Sequence, residues 1–509
     1  MSKQISNLII GSWDTIVIGS GNAALCAGIS ALEYGARVLI VEKGDEKEWG
    51  GNSRYTAGAM RFAFDSFEDL KPLIRNLSDE RLPNTVFGSY TKTKFLSDLE
   101  HFNEGEPVTE LQQFLVDESL GALQWLSSHN VKFDPSYARQ SFLKEGKHVF
   151  WGGLALDVEG EGDGLVQAEL KEYLRLGGEI FYDCPAEEIL QENGKIIGIR
   201  CTKQGEEVII HCQTVILGCG GFEANKELRE KYLGEKWGSA KVRGTRHNMG
   251  QGLEMARKVG AAFNGYFGGC HATPMDKNMP EYGNLDLPHV ERKHYRKISY
   301  LFGVMLNNQG KRFVDEGLDM RNYTYAQFGK AILEQPNNVA WQIFDAKTAP
   351  LLYAEYRVNH ASFYEADTLE ALVEKIEGIN QAQAIETLNE YNQAAAQSKD
   401  IAFDPTLKDG KTTKGLALNK TNWANTLDTP PFRAYPVTSG ITFTYGGLSV
   451  NKKGEVLDEN AQPIAGLFAC GEMVGGVFFH GYPGGSGLTS GTVFGRYAGK
   501  SAALFIKNN

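Results

Sequence analysis

The chain holds 509 residues, more than one hydrophobic core usually organises, so two or more structural units are expected. Its 42% hydrophobic and 23% charged residues exclude a disordered chain, and a net charge of −11 argues against nucleic acid as the main ligand. The cysteines (26, 184, 201, 212, 219, 270 and 470) form no C-x-x-C pair, so neither a zinc knuckle nor an iron–sulfur cluster is indicated and no metal site is expected. Their odd, scattered arrangement suits a reducing cytosol. The opening residues MSKQISNLIIGS lack signal-peptide features, and no run of roughly 18 apolar residues occurs. The expectation is a soluble cytoplasmic protein without an intrinsic membrane span.

The first informative element is DTIVIGSGNAALCAGISALEYGARVLIVEKGD (14–45). Thr15–Ile18 reads as a buried strand, and Gly19 and Gly21 as a turn with no Cβ in the way. Asn22, Ala23 and Ala24 open a helix of small residues able to lie close on a sheet. A second apolar strand follows and ends in Glu42 and Lys43. Bare backbone at the turn, a helix N-terminus and an acidic side chain about 20 residues on are the parts of a dinucleotide site. Next comes WGGNSRYTAGAMRF (49–62), a second glycine-rich turn with Gly50, Gly51, Asn52, Ser53 and Gly58. This loop resembles the FAD-contacting loop of the fumarate reductase and succinate dehydrogenase flavoproteins. It has no histidine, so the resemblance implies FAD bound non-covalently.

A polar, helical stretch is expected to about residue 150, then a helix over Gly164–Gly178, a strand in GEIFYD, and a β ribbon turning at ENGKI, with Ala186 among the cofactor contacts. TVILGCGGF (214–222) brings another strand and glycine turn, with Gly218 and Gly220. HNMGQGLEMARKVGAA (247–262) adds a turn and an amphipathic helix. Residues 266–436 change texture, richer in Tyr, Asn and Pro, with helices expected at 368–379 and 382–397. The final segment, 465–506, returns to strand, acidic turn (Gly471, Glu472), glycine loop and long helix beginning near Ser486, Gly487, Leu488 and Thr489. The expected fold is therefore α/β: a discontinuous FAD-binding Rossmann-like domain of the ββα type (1–265 and 437–509), interrupted by an α+β cap or substrate domain (266–436).

GCHATPMD (269–276), GKRFVDEGLDMRNYTYAQFG (310–329), NWANTLDTPPF (422–432), GITFTYGGL (440–448) and YPGGSGLTSGTVFGR (482–496) together resemble the FAD-dependent tricarballylate dehydrogenases, within the fumarate reductase and succinate dehydrogenase flavoprotein superfamily. The resemblance covers nearly the whole chain. It implies oxidation of tricarballylate to cis-aconitate, a CH–CH oxidation with hydride passing to flavin N5. It also implies a separate electron acceptor, a membrane-bound iron–sulfur protein or a quinone, and so peripheral membrane association through that partner. Against the fumarate reductase pattern, Thr442 stands at a pocket histidine and Tyr482 at a pocket arginine. Arg321 occupies the place of the catalytic arginine, and His271 that of a second pocket histidine.

Desaturation beside a carboxylate also removes a proton from the neighbouring carbon, and a base must lie within roughly 3 Å of it. Arg321 is the first candidate, with Asp315, Glu316 and Asp319 as relay acids. Tyr323, Tyr325 and Tyr445 are rival carriers. Arg292, Lys293, Arg296 and Lys297 are candidate carboxylate donors, and the helix starting at Ser486–Thr489 would favour negative charge on reduced flavin. Other readings stay open: a 3-ketosteroid or cyclic-ketone dehydrogenase, a fumarate-reductase-like enzyme, or a protein-binding module that keeps only the FAD fold.

Overall fold

The structure is a computed structural model, and it describes residues 8–287, 295–358 and 361–508. Arg292 and Lys293 lie outside the described residues. The apolar runs read as strands assemble one sheet in the spatial order Glu179–Phe181, Val38–Val41, Thr15–Ile18, Thr214–Leu217, Pro463–Ala469 and Glu455–Leu457. Its neighbours pair in parallel except for the last, antiparallel edge. Every residue of Thr15–Ile18, Val38–Val41 and Thr214–Leu217 is buried, as continuous apolar runs in a parallel sheet covered on both faces should be. The two ends of the chain thus build one sheet.

The helix Asn22–Glu33 follows the first strand and packs on the last helix, Ser486–Asn508. Small residues set their separation: a Cβ at Gly499 would lie 2.1 Å from the Ala27 carbonyl oxygen. The β ribbon turning at ENGKI forms as expected, Ala186–Glu192 pairing with Lys195–Lys203 and that strand with Glu206–His211. The stretch expected to be helical to about residue 150 carries helices at Lys92–His101 and Glu110–Ser128 and a single turn at Tyr137–Gln140. Beyond it, Ser141–Lys144 and Lys147–Phe150 form a hairpin instead. Glu145 and Gly146 both take positive φ (50° and 75°), the geometry of the two-residue turn that suits a twisted hairpin.

A second sheet is organised by the long strand Phe432–Thr444. Cys270–Asp276, Ala340–Phe344 and Tyr364–Ala366 pair with it antiparallel, Lys241–Val242 joins in parallel, and Val304–Asn307 adds to Ala340–Phe344. Leu369–Lys375 and Gln381–Ala396 are the helices expected there, each opened by a capping side chain, Thr368 and Asn380. The long strand carries residues 442–445 to the mouth of the first sheet, where Thr444 meets Glu472.

Candidate active site

Two connected cavities lie between the sheets, sharing Asn22, Ala23, Asn52, Ser53 and Glu472. The first is a groove made largely of backbone. Gly19, Gly21, Gly51, Gly218 and Gly220 line it, with Glu42, Lys43 and Ala186. Gly19 has φ +102°, and a Cβ there would strike the Gly218 carbonyl oxygen at 2.6 Å, so only glycine leaves the turn open. Gly21 caps the helix Asn22–Glu33 without a side-chain bond of its own; the Asn22 N–H donates to Ser53 Oγ at 3.0 Å, and the N–H groups that follow it are left to meet an anion. The Glu42 carboxylate is fixed by the hydroxyl of Ser20 and the N–H of Gly44. Burial pushes its carboxyl upward, partly offset by the Ser20 bond.

Other expected cofactor residues support the groove from behind. Ala24 packs under Gly218, the N–H of Gly50 donates to Ser20 Oγ at 2.9 Å, and Gly58 makes room for the backbone of Glu161. Gly471, Gly487 and Leu488 face the second cavity. Ser486 instead bonds the Pro483 carbonyl (2.7 Å), and the buried hydroxyl of Thr489 has no partner among the described residues.

The second cavity is made of side chains. His271, Tyr325, Tyr445 and Tyr482 line it. Tyr325 donates to the Tyr482 hydroxyl at 2.9 Å, and the His271 ring stands edge-on to both rings at 4.8 and 4.9 Å. Neither ring nitrogen of His271 has a partner among the described residues. Burial, then the charges of Arg243 and Arg296, push this imidazole well below its ordinary range, so it is neutral.

Three arginines complete the wall: Arg139, Arg243 and Arg296. Arg296 bonds Glu355 at 2.6 Å, and Arg139 bonds Glu161 at 2.8 Å and approaches Glu355 at 4.0 Å. Burial alone would raise the Glu355 carboxyl, but Arg296 and Arg139 hold it down at about 2. Arg243 has no carboxylate partner among the described residues; its Nη2 donates to the Tyr55 carbonyl at 3.1 Å. Burial and then the Arg296 charge push Arg243 down to about 10. Each of the three keeps one N–H group unpartnered among the described residues: Nη1 of Arg139, Nε of Arg243 and Nε of Arg296. Of the anticipated donors, Arg296 lines the cavity. Lys297 does not: it is fully buried beside Asp276 (3.5 Å) and bonds the Glu355 carbonyl.

Arg321 does not line either cavity. It is the first residue of the helix Arg321–Leu333, and its guanidinium sits between the rings of Trp151 and Tyr353, 4.4 and 4.0 Å from their centroids, while donating to the Arg139 carbonyl. The expected acid relay is not formed. Glu316 pairs with Arg312, Asp315 accepts from Thr421, and Asp319 pairs with Lys408. Arg321 thus touches the cavity only at second hand, through Tyr353 and Arg139. Tyr323 points elsewhere, donating to Asp98 at 2.9 Å. Asn322 and Tyr325, three residues apart on one helix face, are the ones that front the cavity. Arg139, Arg243 and Tyr353 are lining residues that the sequence does not single out. Only the meeting of segments distant in the chain assembles them.

The model of the FAD binding domain family matches residues 14–489, almost the whole length. The chain belongs to this family. FAD is accordingly its cofactor, and the structure fits it: the open glycine turn, the uncapped helix start and the fixed Glu42 suit the dinucleotide, while Gly487 and Leu488 begin the helix facing the second cavity. A probable fumarate reductase of Shewanella frigidimarina is 28% identical over 96% of this chain and 74% of that protein. NADH:fumarate oxidoreductase of Klebsiella pneumoniae is 26% identical over 97% of this chain, which spans about half (48%) of that protein's length. Among solved structures, the open conformation of a flavocytochrome c3 fumarate reductase superposes with a TM-score of 0.71 at 25% identity, covering 97% of this chain and 79% of the other. Among the described residues of this FAD-binding protein, no helix is long and apolar enough to cross a membrane.

Proposed function

We propose that this flavoprotein oxidises tricarballylate to cis-aconitate and passes the electrons to a separate acceptor, an iron–sulfur protein or a quinone. The observation that carries this reading is the trio Arg139, Arg243 and Arg296, which line one cavity and each keep one buried N–H without a partner among the described residues. A buried guanidinium N–H without an acceptor is costly, and a carboxylate is the acceptor it fits best. Three such groups match the three carboxylates of tricarballylate. Arg243, with no carboxylate partner among the described residues, is the strongest of the three clamps.

Bound FAD supplies the hydride acceptor. The protein's part is to hold the substrate anion, keep water out and take a proton. Phe443, Tyr445, Phe478 and Tyr482 form an aromatic wall around the cavity, with Phe443 5.2 Å from Tyr445 and from Tyr482. The hydrogen-bonded pair Tyr325–Tyr482 is the proton acceptor in this reading. Burial pushes both phenols upward, but Arg243 favours their ionised form. Neutral His271, against both rings, orients them or a substrate carboxylate. Arg321 braces Tyr353 and Arg139 from behind. FAD is held non-covalently, since residues 49–58 offer no histidine. Residues 1–265 and 437–509 act as the cofactor domain and 266–436 as the cap, so that Arg139, Arg243 and Tyr482 meet His271, Arg296, Tyr325 and Tyr353 across their junction.

Turnover with an artificial electron acceptor tests the reading: tricarballylate should yield cis-aconitate, identified by NMR. Oxidation of a 3-ketosteroid with no turnover of tricarballylate would overturn it. Reduction of fumarate alone would also count against it.

A further inference from the structure

The loop that carries Tyr482 is held by an arginine that lines neither cavity. Arg61, shortly after the glycine-rich turn, is wholly buried. Its Nε donates to the Gly484 carbonyl at 2.7 Å and its Nη1 to the Gly152 carbonyl at 2.8 Å. Its backbone N–H donates to the Gly485 carbonyl at 3.0 Å. Behind these donors the guanidinium lies over the Tyr90 ring, 4.7 Å from its centroid, and the Tyr90 hydroxyl is fixed on Asp98 at 2.6 Å. Burying a guanidinium is costly, and its planar fork is what lets one side chain bond two carbonyls from separate loops.

Gly484 is where this hold reaches the tyrosines. Its N–H donates to the Asn322 carbonyl at 3.2 Å, on the helix Arg321–Leu333 that presents Tyr325. A Cβ on Gly484 would stand 3.3 Å from the Tyr325 hydroxyl oxygen, so the bare backbone of residue 484 seats that phenol. Tyr325 in turn donates to Tyr482, two residues before Gly484 on the same loop. Arg61, Gly484, Tyr325 and Tyr482 therefore form one continuous chain of contacts, from a buried guanidinium to the cavity wall.

We propose that Arg61 is a positioning residue for the proton transfer: by fixing the backbone of Gly484 and Gly485, it sets the Tyr325–Tyr482 hydrogen bond that faces the substrate. Arg61 takes no proton itself and acts only through that loop. The proposal rests on the reading of the tyrosine pair as the proton acceptor.

Tricarballylate-driven bleaching of the FAD-loaded protein, in single and double variants, tests it. Arg61→Gln should keep FAD bound and lower the limiting rate about 10- to 100-fold, the usual cost of an ångström-scale misplacement, with the half-saturating substrate concentration unchanged. Adding Tyr325→Phe to Arg61→Gln should give the rate of Tyr325→Phe alone, because both act on the same hydrogen bond. A double variant slowed by the full product of the two factors would overturn the proposal. Arg61→Lys keeps the charge but cannot bond both carbonyls, so it should stay slow, and full recovery would overturn the assignment. This variant decides should Arg61→Gln not fold. Fluorotyrosine placed at Tyr482 gives a fluorine NMR readout without substrate. Arg61→Gln should move its resonance as Tyr325→Phe does, and an unmoved resonance would overturn the proposal. A Tyr325→Phe variant that bleaches at the wild-type rate would instead defeat the proton-acceptor reading, leaving the NMR result to decide the role of Arg61.

Discussion

The nucleotide groove and the substrate cavity adjoin, yet they are built on opposite plans. The groove consists of glycine backbone, one helix start and one carboxylate, held by short contiguous segments such as 15–24 and 38–43. The cavity wall consists of side chains, and Arg139, Arg243, His271, Arg296, Tyr325 and Tyr482 come from widely separated segments. A backbone site tolerates change in every side chain that does not fill it. A side-chain site is reset by single substitutions, which is how one cofactor scaffold serves relatives with different substrates.

The largest break in this comparison is expected from Gly19→Ala. Its Cβ would meet the Gly218 carbonyl at 2.6 Å from a φ of +102°, so the purified protein should carry no flavin absorbance. Tyr325→Phe should leave the yellow protein intact and slow substrate-driven flavin bleaching by about 10²- to 10⁴-fold, the usual worth of a positioned proton acceptor. The sign of the pH effect follows from the chemistry. The acceptor works as its deprotonated form, and burial pushes Tyr325 upward, so the wild-type rate should climb with pH through the neutral range. A pH-independent wild-type rate would contradict the assignment.

Arg243→Gln removes a charge with no carboxylate partner among the described residues and should weaken polycarboxylate turnover by about 30- to 5,000-fold, from roughly 2–5 kcal/mol for a buried charged partner. Flavin content should not change. Arg321→Lys should be milder, about tenfold in kcat/KM, because it loosens the stack with Trp151 and Tyr353 rather than a group in the cavity. The smallest effect belongs to Tyr323→Phe. It costs one hydrogen bond to Asp98, about 1 kcal/mol of stability in a denaturant melt, with turnover unchanged.

The same contrast explains what was legible in the sequence. Thr15–Ile18, Gly19, Gly21 and Glu42 could be read directly because the groove's chemistry is local: a turn without Cβ and an acid at fixed spacing. The return of the chain to the same sheet at Pro463–Ala469 was legible for the same reason. Arg321 and Tyr323 show the limit. Neighbours in sequence diverge on a helix, and the residues that front the cavity are Asn322 and Tyr325. Arg139 and Arg243 carry no local signature, since they come to one cavity only when the segment of Arg139 meets Glu355 and the strand Lys241–Val242 pairs with Gly440 and Ile441, each roughly two hundred residues away. The hairpin at 141–150 was read as helix because its polar residues hide the turn at Glu145 and Gly146.

The central claim is that three arginines select a polycarboxylate beside the flavin. Anaerobic mixing of the FAD-loaded protein with matched tri-, di- and monocarboxylates, read as bleaching of the flavin, tests it most directly. Tricarballylate should bleach the flavin fully, its dicarboxylate analogue more slowly, and a monocarboxylate not at all. Equal bleaching by all three, or bleaching only by an uncharged ketone, would contradict it.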